Sequence, residues 1–526
     1  MLRLYNTETR SVDEFQPIEP GKVRLYTCGP TVYNYAHVGN LRTYVFEDVL
    51  KRALKFADPD NPYDVRHVMN VTDVGHLVSD ADEGEDKMVL AMRREGRSAH
   101  DIADFYWQAF RSDLARLNIL EPDVWCKATD HIAEQIATVR TLEAKGYTYV
   151  IEGDGVYFDT SKYPDYGRMA RLDVSGLRAG ARIELAAGKR KATDFALWKF
   201  SPAGQKRLME WDSPWGMGFP GWHIECSAMA IAHLGERLDI HCGGIDHVQV
   251  HHTNEIAQAE CALGHTWCNW WMHGEFLTFP RGADAEAAKM SKSSGEFLTL
   301  DRVLEEGKRR GFTNGYDPLA FRYLCFNAHY RQQLAFTWEA MDSAQLSLDA
   351  LRSQVLSLKP PENPPPELCD QGVVIEAHFS IFREAVENDL NMPQAMAAVW
   401  GLLRDPDIAS PPNQYATLLE MDKVLGLGIE QMKPPDEHRL TDAQREAVVA
   451  IARRYDEQSS PREDNDDVQW HIDVTHADVL VERLIQLRAQ AREGRNFELA
   501  DEIRQSLAEN GIRLKDSPDG PKWQTT

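Results

Sequence analysis

The sequence is poor in cysteine and has no long apolar run. Its eight cysteines are scattered over 526 residues, and no two of them form a Cys-x-x-Cys pair. Such sparse spacing argues against a disulfide framework, so most of these residues are expected to be small buried side chains. No apolar stretch approaches the roughly 20 residues that cross a bilayer, and no signal peptide is evident at Met1. We therefore expect a cytoplasmic protein without a membrane partner.

Positive charge is also scarce. The chain has 58 Lys and Arg against 82 Asp and Glu, which gives a formal net charge of -24. Binding nucleic acid through its phosphates requires Lys and Arg, so this balance argues against a general nucleic-acid binder. Net charge does not exclude a local basic surface that binds RNA. The length favours several domains rather than one.

Strand and helix patterns alternate in the first part of the chain. Residues 22–27 predict a strand that ends in a sharp break at Cys28-Gly29-Pro30, and residues 41–50 have apolar side chains at helical spacing. Residues 65–71 predict a second strand at a distance that suits a crossover. We therefore expect an α/β fold: a split, Rossmann-like, doubly wound nucleotide-binding domain with an inserted subdomain, followed by an α-helical C-terminal region.

Six segments are expected along the chain. They are the first half of the Rossmann-like catalytic domain (1–125), an inserted connective subdomain (126–215), the second half of the catalytic domain (216–315), a helical bundle (316–455), an acidic linker (456–474) and a tail (475–526). The tail predicts one helix over roughly 476–492, a turn near Gly494 and a second helix to Asn510, with Gly511 as its stop.

Two motifs indicate phosphate chemistry. His37-Val38-Gly39-Asn40 lies at a predicted strand-to-helix turn, where the helix N-terminus attracts anions and glycine allows close backbone approach. Alone, this tetrapeptide could equally be an exposed loop. Lys289-Met290-Ser291-Lys292-Ser293-Ser294-Gly295 is more specific, because two lysines among small hydroxyls form a cationic loop that can close on a triphosphate. The alternative is a surface lysine cluster.

The His-x-Gly motif followed by Lys-Met-Ser-Lys-Ser resembles the paired motifs of class I aminoacyl-tRNA synthetases. That class ends its first motif in a second histidine, whereas this chain has Asn40, which can hydrogen-bond but carries no charge. The resemblance implies that His37, Asn40, Lys289 and Lys292 act in catalysis. It also implies an ATP site, with ATP taken together with Mg²⁺, formed by Gly29, His37, Gly39, Asn40, Gly244, Asp246, Lys289, Ser291 and Lys292.

Four residues from distant segments form a candidate metal site: Cys28, Cys226, His251 and Glu255. His251 and Glu255 are four residues apart, so on a helix they point the same way. Two thiols, an imidazole and a carboxylate are all ligand types that Zn²⁺ uses. From spacing alone, the alternative is a pair of buried cysteines and a His/Glu pair on a helix surface.

The residues around these four resemble the cysteinyl-tRNA synthetases, in order from Met1 to Trp523. The matching stretches are Thr27-Cys28-Gly29-Pro30-Thr31-Val32-Tyr33, Gly221-Trp222-His223-Ile224-Glu225-Cys226-Ser227-Ala228-Met229, Asp239-Ile240-His241 with Gly243-Gly244, and His251-His252. The resemblance implies one Zn²⁺ per chain on the four ligands, which distinguishes a cysteine thiolate from the serine hydroxyl. It further implies that Thr72, Trp222 and His241 bind cysteine. Cys242 and His247 depart from the family pattern, and we interpret them as packing substitutions.

The same resemblance makes the tail an anticodon-binding region. It implies contacts from Arg492, Phe497, Asp501, Asp516 and Trp523. Aromatic rings stack on unpaired bases and carboxylates accept hydrogen bonds from base amino groups, so these residue types suit the task. Recognition of splayed bases needs few phosphate contacts, which is compatible with an acidic chain. The alternative for Phe497 and Trp523 is core packing of a helical hairpin.

These observations predict a cysteine–tRNA ligase that acts as a monomer on L-cysteine, ATP and tRNA-Cys. It would form cysteinyl-adenylate and transfer cysteine to the terminal ribose of the tRNA. Two alternatives stay open. An ATP-dependent cysteine ligase acting on an amino-sugar would not need the tail, and a non-catalytic zinc- and RNA-binding paralogue would not need the lysine loop.

Overall fold

The computed structural model describes residues 1–75, 87–172, 188–201, 207, 209–281, 285–289, 298–360, 372–408, 410–433, 442–459, 477–493, 496–517 and 520–525. The chain divides into two compact units. The first unit consists of Met1–Phe297, Cys325–Phe336 and Pro360–Ile429. The second unit consists of Leu298–Leu324, Thr337–Lys359 and Glu430–Thr526.

The strands of the described residues are, in chain order, β1 (Arg3–Asn6), β2 (Ser11–Glu14), β3 (Lys22–Thr27), β4 (Asp64–Val71), β5 (Val124–Lys127), β6 (Thr148–Ile151), β7 (Gly155–Phe158), β8 (Phe195–Phe200), β9 (Gly218–Pro220), β10 (Leu238–Gly244), β11 (Cys268–Gly274), β12 (Leu277–Arg281), β13 (Ala285–Lys289), β14 (Leu334–Ala335), β15 (Ile512–Ser517) and β16 (Gly520–Thr525).

The α-helices of the described residues are α1 (Val38–Phe56), α2 (Lys87–Glu95), α3 (Ala99–Arg116), α4 (Ile132–Ala144), α5 (Trp222–Leu234), α6 (His251–Leu263), α7 (Leu300–Arg309), α8 (Pro318–Cys325), α9 (Trp338–Leu358), α10 (Glu376–Glu387), α11 (Met392–Arg404), α12 (Pro411–Leu425), α13 (Asp442–Ser459), α14 (Ala477–Glu493) and α15 (Phe497–Glu509). A search of these described helices finds none with the length and hydropathy that a membrane span requires.

A parallel sheet forms the centre of the first unit. Among the described residues its strand order is β11-β10-β3-β4-β5, and every neighbouring pair is parallel. Buried apolar side chains such as Val23, Leu25 and Val68 fill the strands, as expected for a sheet covered on both faces. The strand order reverses between β3 and β10, which is where doubly wound folds bind ligands. The predicted Rossmann-like α/β fold is therefore confirmed.

An antiparallel sheet occupies the chain between β5 and β10. Its order is β6-β7-β8-β9 among the described residues, and it packs with α4 around Phe158, Phe195 and Trp198. Because it interrupts the strands of the parallel sheet, it is the inserted subdomain that the sequence predicts.

Helix α1 follows β3 and starts at the edge where the sheet strands end. It buries Leu41, Val45 and Leu50, which explains the helical apolar spacing of the sequence. Arg42 is also buried on this helix. Its guanidinium donates to the backbone oxygens of Glu275 at 2.9 Å, Phe276 and Gln332 at 2.5 Å, and His329 at 3.4 Å. Arg42 thus joins α1 to the segments that precede β12 and β14.

The tail forms part of the second unit. Helices α14 and α15 match the two helices that the sequence predicts, and Gly511 follows them with a positive φ of 75°. With α13 they enclose a core that includes Val448, Leu484 and Ile503. The sequence did not predict the hairpin of β15 and β16 that ends the chain, in which Leu514 pairs with Trp523.

The hydrogen bonds of the buried Arg42 side chain lead to a prediction about stability. Arg42→Met keeps an unbranched apolar stem but leaves four backbone oxygens without their donor. We expect a loss of about 3 kcal/mol in the free energy of unfolding, because each unsatisfied buried polar group costs about 1–3 kcal/mol. Denaturant titration measures this loss. Arg309→Met is the matched control, because Arg309 is 72% exposed; equal stability of the two variants would contradict the role of Arg42.

Candidate active site

A cavity of about 620 Å³ opens at the carboxyl ends of β3, β4 and β10. Cys28 directly follows β3, Thr72 directly follows β4, and Gly244 ends β10. Many of the residues singled out from the sequence line this cavity: Cys28, Gly29, His37, Gly39, Asn40, Thr72, Trp222, Cys226, Gly244, Asp246 and His251. The fold thus brings residues from the whole first half of the chain to the edge where the strand order reverses.

The four candidate metal ligands meet beside this cavity, which Cys28, Cys226 and His251 line and Glu255 does not. One donor atom from each of Cys28, Cys226, His251 and Glu255 lies within 4.8 Å of all the others, and all four residues are buried. Cys226 lies in the second turn of α5, and His251 and Glu255 lie one turn apart at the start of α6. The structure therefore contains a cluster of sulfur, nitrogen and oxygen donors that could hold a metal ion.

The carboxylate of Glu255 lies between two imidazoles, of which His241 is hydrogen-bonded to it and His251 is in close contact without a hydrogen bond. His251 Nε2 lies 3.0 Å from one oxygen and His241 Nε2 lies 2.9 Å from the other. On its other side, His251 Nδ1 lies 2.9 Å from Nδ1 of His223. A partner on the second ring nitrogen orients a histidine ligand, as is common around protein-bound metals. Burial raises the pKa of Glu255, so the carboxylate needs these contacts or a cation to stay charged.

Burial likewise raises the pKa of the Cys28 thiol well above its usual value. A hydrogen bond from Cys28 lowers the pKa of Cys226, but burial and the nearby Glu255 leave that pKa raised overall. Metals bind the thiolate, and a bound cation stabilises it. The donor set therefore fits a metal that favours sulfur and nitrogen, because only a cation would keep these buried thiols deprotonated.

A second set of donors shares two members with the first. Donor atoms of Cys28, His241, His252 and Glu255 also lie within 4.8 Å of one another. His252 Nε2 is 3.3 Å from Cys28 Sγ, and its Nδ1 is 2.8 Å from Nε2 of His273. Sequence reasoning gave no role to His252 or His273. The adjacent His251-His252 pair was the available signal, but the partner His273 comes from the neighbouring strand β11.

His241, which the resemblance assigns to cysteine binding, lies outside the set of residues that line the cavity. It is fully buried and does not line the cavity. Its ring stacks on Trp271 with centroids 4.7 Å apart, and its Nε2 faces Glu255. His241 therefore positions Glu255 from behind the cavity wall. Thr72 and Trp222, the other two predicted cysteine-binding residues, do line the cavity.

The N-terminus of α1 lies at the cavity, and hydrogen bonds cap this end of the helix. The backbone N–H of Asn40 donates to Nδ1 of His37 at 3.1 Å, and Oδ1 of Asn40 accepts from the backbone N–H of His37 at 3.4 Å. This reciprocal pair is a capping box, so Asn40 has a structural function at the position where the class has a histidine. Gly29 is required beside it, because a Cβ there would lie 1.7 Å from the backbone oxygen of Asn70.

The lysine loop lies mostly outside the described residues. Ser291 and Lys292 fall in 290–297, which the structure does not describe, and only the backbone of Lys289 is described, at the end of β13. Lys289 pairs with Thr278 of β12, and the preceding Leu277 lines the cavity. The register of this strand pair therefore places the backbone of Lys289 opposite a residue that adjoins the cavity lining.

Comparison with known proteins gives the family. Residues 14–346 match the family described as "tRNA synthetases class I (C) catalytic domain". A protein named cysteine–tRNA ligase 1 from Burkholderia lata is 49% identical over 522 residues, which covers 99% of this chain and 96% of that protein. This chain belongs to the class I cysteinyl-tRNA synthetase family. The cysteine–tRNA ligase of Treponema denticola is 40% identical over 541 residues, with 99% of each chain covered.

The family prediction drawn from the motifs is thus confirmed, while the roles of single residues stay predictions. A solved methionyl-tRNA synthetase of Mycobacterium tuberculosis, bound by methionyl-adenylate, is similar with a TM-score of 0.49 and 16% identity, over 82% of this chain and 94% of that one. This likeness is too distant to bear on the site.

The residues predicted to contact the anticodon belong to the second unit. Arg492 is exposed near the end of α14, and Phe497 and Asp501 are exposed one turn apart on α15. Phe497 is 58% exposed, which excludes core packing as its role. Asp516 lies in β15 and Trp523 in β16, but their side chains fall outside the described part of the structure.

The close approach of Gly29 to the backbone of Asn70 leads to a prediction about the candidate metal site. Gly29→Ala forces the backbone next to Cys28 to move, because its Cβ would overlap the oxygen of Asn70. We expect lower metal content on elemental analysis and a loss of stability of about 1–3 kcal/mol. Gly401→Ala is the control, since nothing lies within 4 Å of its added Cβ. If Gly29→Ala retained the metal content of the wild type, the geometry assigned to Cys28 would be wrong.

Proposed function

We propose that this protein is a cysteine–tRNA ligase that activates L-cysteine with ATP and transfers it to tRNA-Cys. One observation carries the proposal: buried donor atoms of Cys28, Cys226, His251 and Glu255 lie within 4.8 Å of one another, and the first three of these residues line the cavity beside the start of α1. A thiol-selective site and a phosphate-attracting helix N-terminus thus share one cavity. The family relationship supports the same activity.

The cluster suits Zn²⁺, with one ion per chain. Two thiolates, an imidazole and a carboxylate match the ligands that zinc prefers, and four protein ligands plus a substrate imply either five-coordination or a weak carboxylate ligand. When bound, Zn²⁺ would accept the sulfur of cysteine far more readily than the hydroxyl of serine, which shape alone distinguishes poorly. Glu255 is the weak ligand in this proposal, because His241 competes for one of its oxygens. Trp222, whose ring lies 4.4 Å from that of His251, would cover the amino acid.

The remaining lining residues serve the nucleotide. ATP, taken with Mg²⁺, would place its phosphates at the N-terminus of α1, where free N–H groups and the helix dipole favour anions. Gly29, Gly39 and Gly244 keep the backbone accessible, and Asp246 lies beside Gly244 on the same wall. The carboxylate of cysteine attacks the α-phosphate, which yields cysteinyl-adenylate and pyrophosphate. His37, Lys289 and Lys292 would stabilise the charge that develops on the phosphates.

In the second step, the terminal ribose hydroxyl of the tRNA attacks the carbonyl carbon of the adenylate and releases AMP. This step needs no covalent enzyme intermediate, so the protein acts by positioning the reactants. In the proposal Arg492, Phe497, Asp501, Asp516 and Trp523 read the anticodon, and the six segments expected from the sequence act as domains of a cytoplasmic monomer. The exposure of Phe497 supports stacking on an unpaired base.

Two assays test the function and separate it from the alternatives. We expect cysteine-dependent exchange of pyrophosphate into ATP, followed by charging of tRNA-Cys. Exchange with cysteine transfer to an amino-sugar, but without tRNA charging, would favour the amino-sugar ligase. An absence of exchange would leave only a binding protein. In the same assays, Lys292→Ala should slow adenylate formation by at least ten-fold while metal content stays unchanged; exchange at the wild-type rate would contradict the role of the lysine loop.

Two substitutions at the proposed metal site should weaken zinc binding to different degrees. Cys226→Ser should lose most of the bound zinc, because a hydroxyl replaces a thiolate ligand. His241→Phe should keep the stack on Trp271 but release one oxygen of Glu255, so we expect a roughly ten-fold weaker zinc affinity. Elemental analysis and competition with a zinc-binding dye measure both effects without relying on activity. Wild-type affinity in both variants would overturn the assignment of the site.

A further inference from the structure

A row of aromatic rings leads from the cavity to the protein surface. Phe105 on α3 is 41% exposed. Its ring centroid lies 6.0 Å from that of Tyr35 and 5.2 Å from that of Tyr106, and both tyrosines line the cavity. The aromatic surface is therefore continuous from solvent to the site where the adenylate would form.

Arginine side chains accompany this row. The guanidinium carbon of the exposed Arg97 lies 4.8 Å from the ring centroid of Phe105. Arg94 donates to the hydroxyl of Tyr106 at 3.3 Å and to the backbone oxygen of Tyr33 at 3.4 Å. Planar cations and aromatic rings thus lie side by side at the edge of the cavity.

The neighbouring acidic side chains are engaged in contacts of their own. Glu95 accepts from Arg94 at 2.6 Å and from the hydroxyl of Tyr106 at 2.5 Å. Asp104 accepts from Lys127 at 2.9 Å, and Asp101 accepts from the hydroxyl of Ser98 at 2.6 Å. The contacts of Glu95 with Arg94 and of Asp104 with Lys127 offset negative charge that a polyanion would meet here, whereas Asp101 keeps its charge.

The inner rings are held firmly. Tyr35 and Tyr106 pack edge to face with centroids 5.0 Å apart and planes at 89°. The hydrogen bond to Glu95 fixes the hydroxyl of Tyr106, and the backbone N–H of Tyr35 donates to Oδ1 of Asn34 at 2.9 Å. Phe105 is thus presented on a rigid support, which lowers the entropy cost of binding a ring against it.

Single exposed apolar side chains are common and need no explanation. Phe105 differs because it extends a row of rings into a ligand cavity and has a guanidinium beside it. Exposed aromatic faces together with arginine planes bind unpaired bases of single-stranded RNA. In a chain with a net charge of -24, stacking would add affinity to whatever phosphate contacts a local basic surface supplies.

We propose that Phe105, Tyr35 and Arg97 form a stacking surface for the unpaired nucleotides at the 3′ end of the tRNA. Bases stacked on Phe105 and Tyr35 would guide the terminal ribose into the cavity, where its hydroxyl meets the adenylate. This inference rests on the proposed function, and it adds a binding surface for the acceptor end that is separate from the predicted anticodon residues.

Phe105→Ala tests the surface without disturbing a buried core. We expect kcat/KM for tRNA to fall by ten-fold or more in charging, which is the effect of losing one stacked base, with the effect confined to the transfer step. Phe105→Tyr should restore most of the rate because it restores the ring. Ile381→Ala, which removes a side chain that is 56% exposed on α10, is the control and should leave charging unchanged.

A truncated tRNA separates stacking from other effects. Phe105→Ala should weaken binding of full-length tRNA but not of tRNA-Cys that lacks its unpaired 3′ nucleotides. Unchanged charging by Phe105→Ala, failure of Phe105→Tyr to restore it, or an equal loss with truncated tRNA would each overturn the proposal. Failure of the proposed function itself is distinct, because it would appear as absent cysteine-dependent exchange in the unaltered protein.

Discussion

Glu255 has no solvent-exposed surface, although its side chain is a carboxylate. Burying such a group costs several kcal/mol unless partners compensate, and here two imidazoles face its two oxygens. Because His241 lies in β10 and His251 begins α6, this contact joins sheet and helix beside the point where the strand order reverses. Cys28 and Cys226 meet the same carboxylate from β3 and α5. The donor cluster that could hold a metal therefore forms only when all four elements are in place.

The parallel sheet explains why one cavity can serve both an amino acid and a nucleotide. Cys28, Thr72 and Gly244 come from three strands whose carboxyl ends lie at one edge. The loop that begins at Cys28 leads into α1. The thiol and the helix N-terminus therefore lie close together in the chain. Joining cysteine to a nucleotide requires a cluster of soft donors and a helix N-terminus that attracts anions. The cavity has the first on one wall and the second on the other.

Sequence reasoning succeeded where function depends on short stretches of chain. Cys28 next to a predicted strand, and His251 and Glu255 at helical spacing, could be placed without long-range information. It does not give the surroundings of His241, because whether a strand side chain faces the cavity or the core depends on the neighbouring strands. His252 and His273 meet because β11 pairs with β10, with Gly243 opposite His273, and no local pattern encodes that pairing. Likewise, the capping role of Asn40 appears only in the backbone geometry of the turn, and the hairpin of β15 and β16 has no long apolar alternation to reveal it.

The central claim is that the buried cluster selects the amino acid through its metal. The most direct test is pyrophosphate exchange with cysteine and with serine, measured on the zinc-loaded protein, on the protein after chelation, and after zinc is restored. The account predicts strong preference for cysteine in the loaded protein, loss of cysteine-dependent exchange on chelation, and recovery with zinc. A metal-free protein that kept both its exchange rate and its preference for cysteine over serine would contradict it.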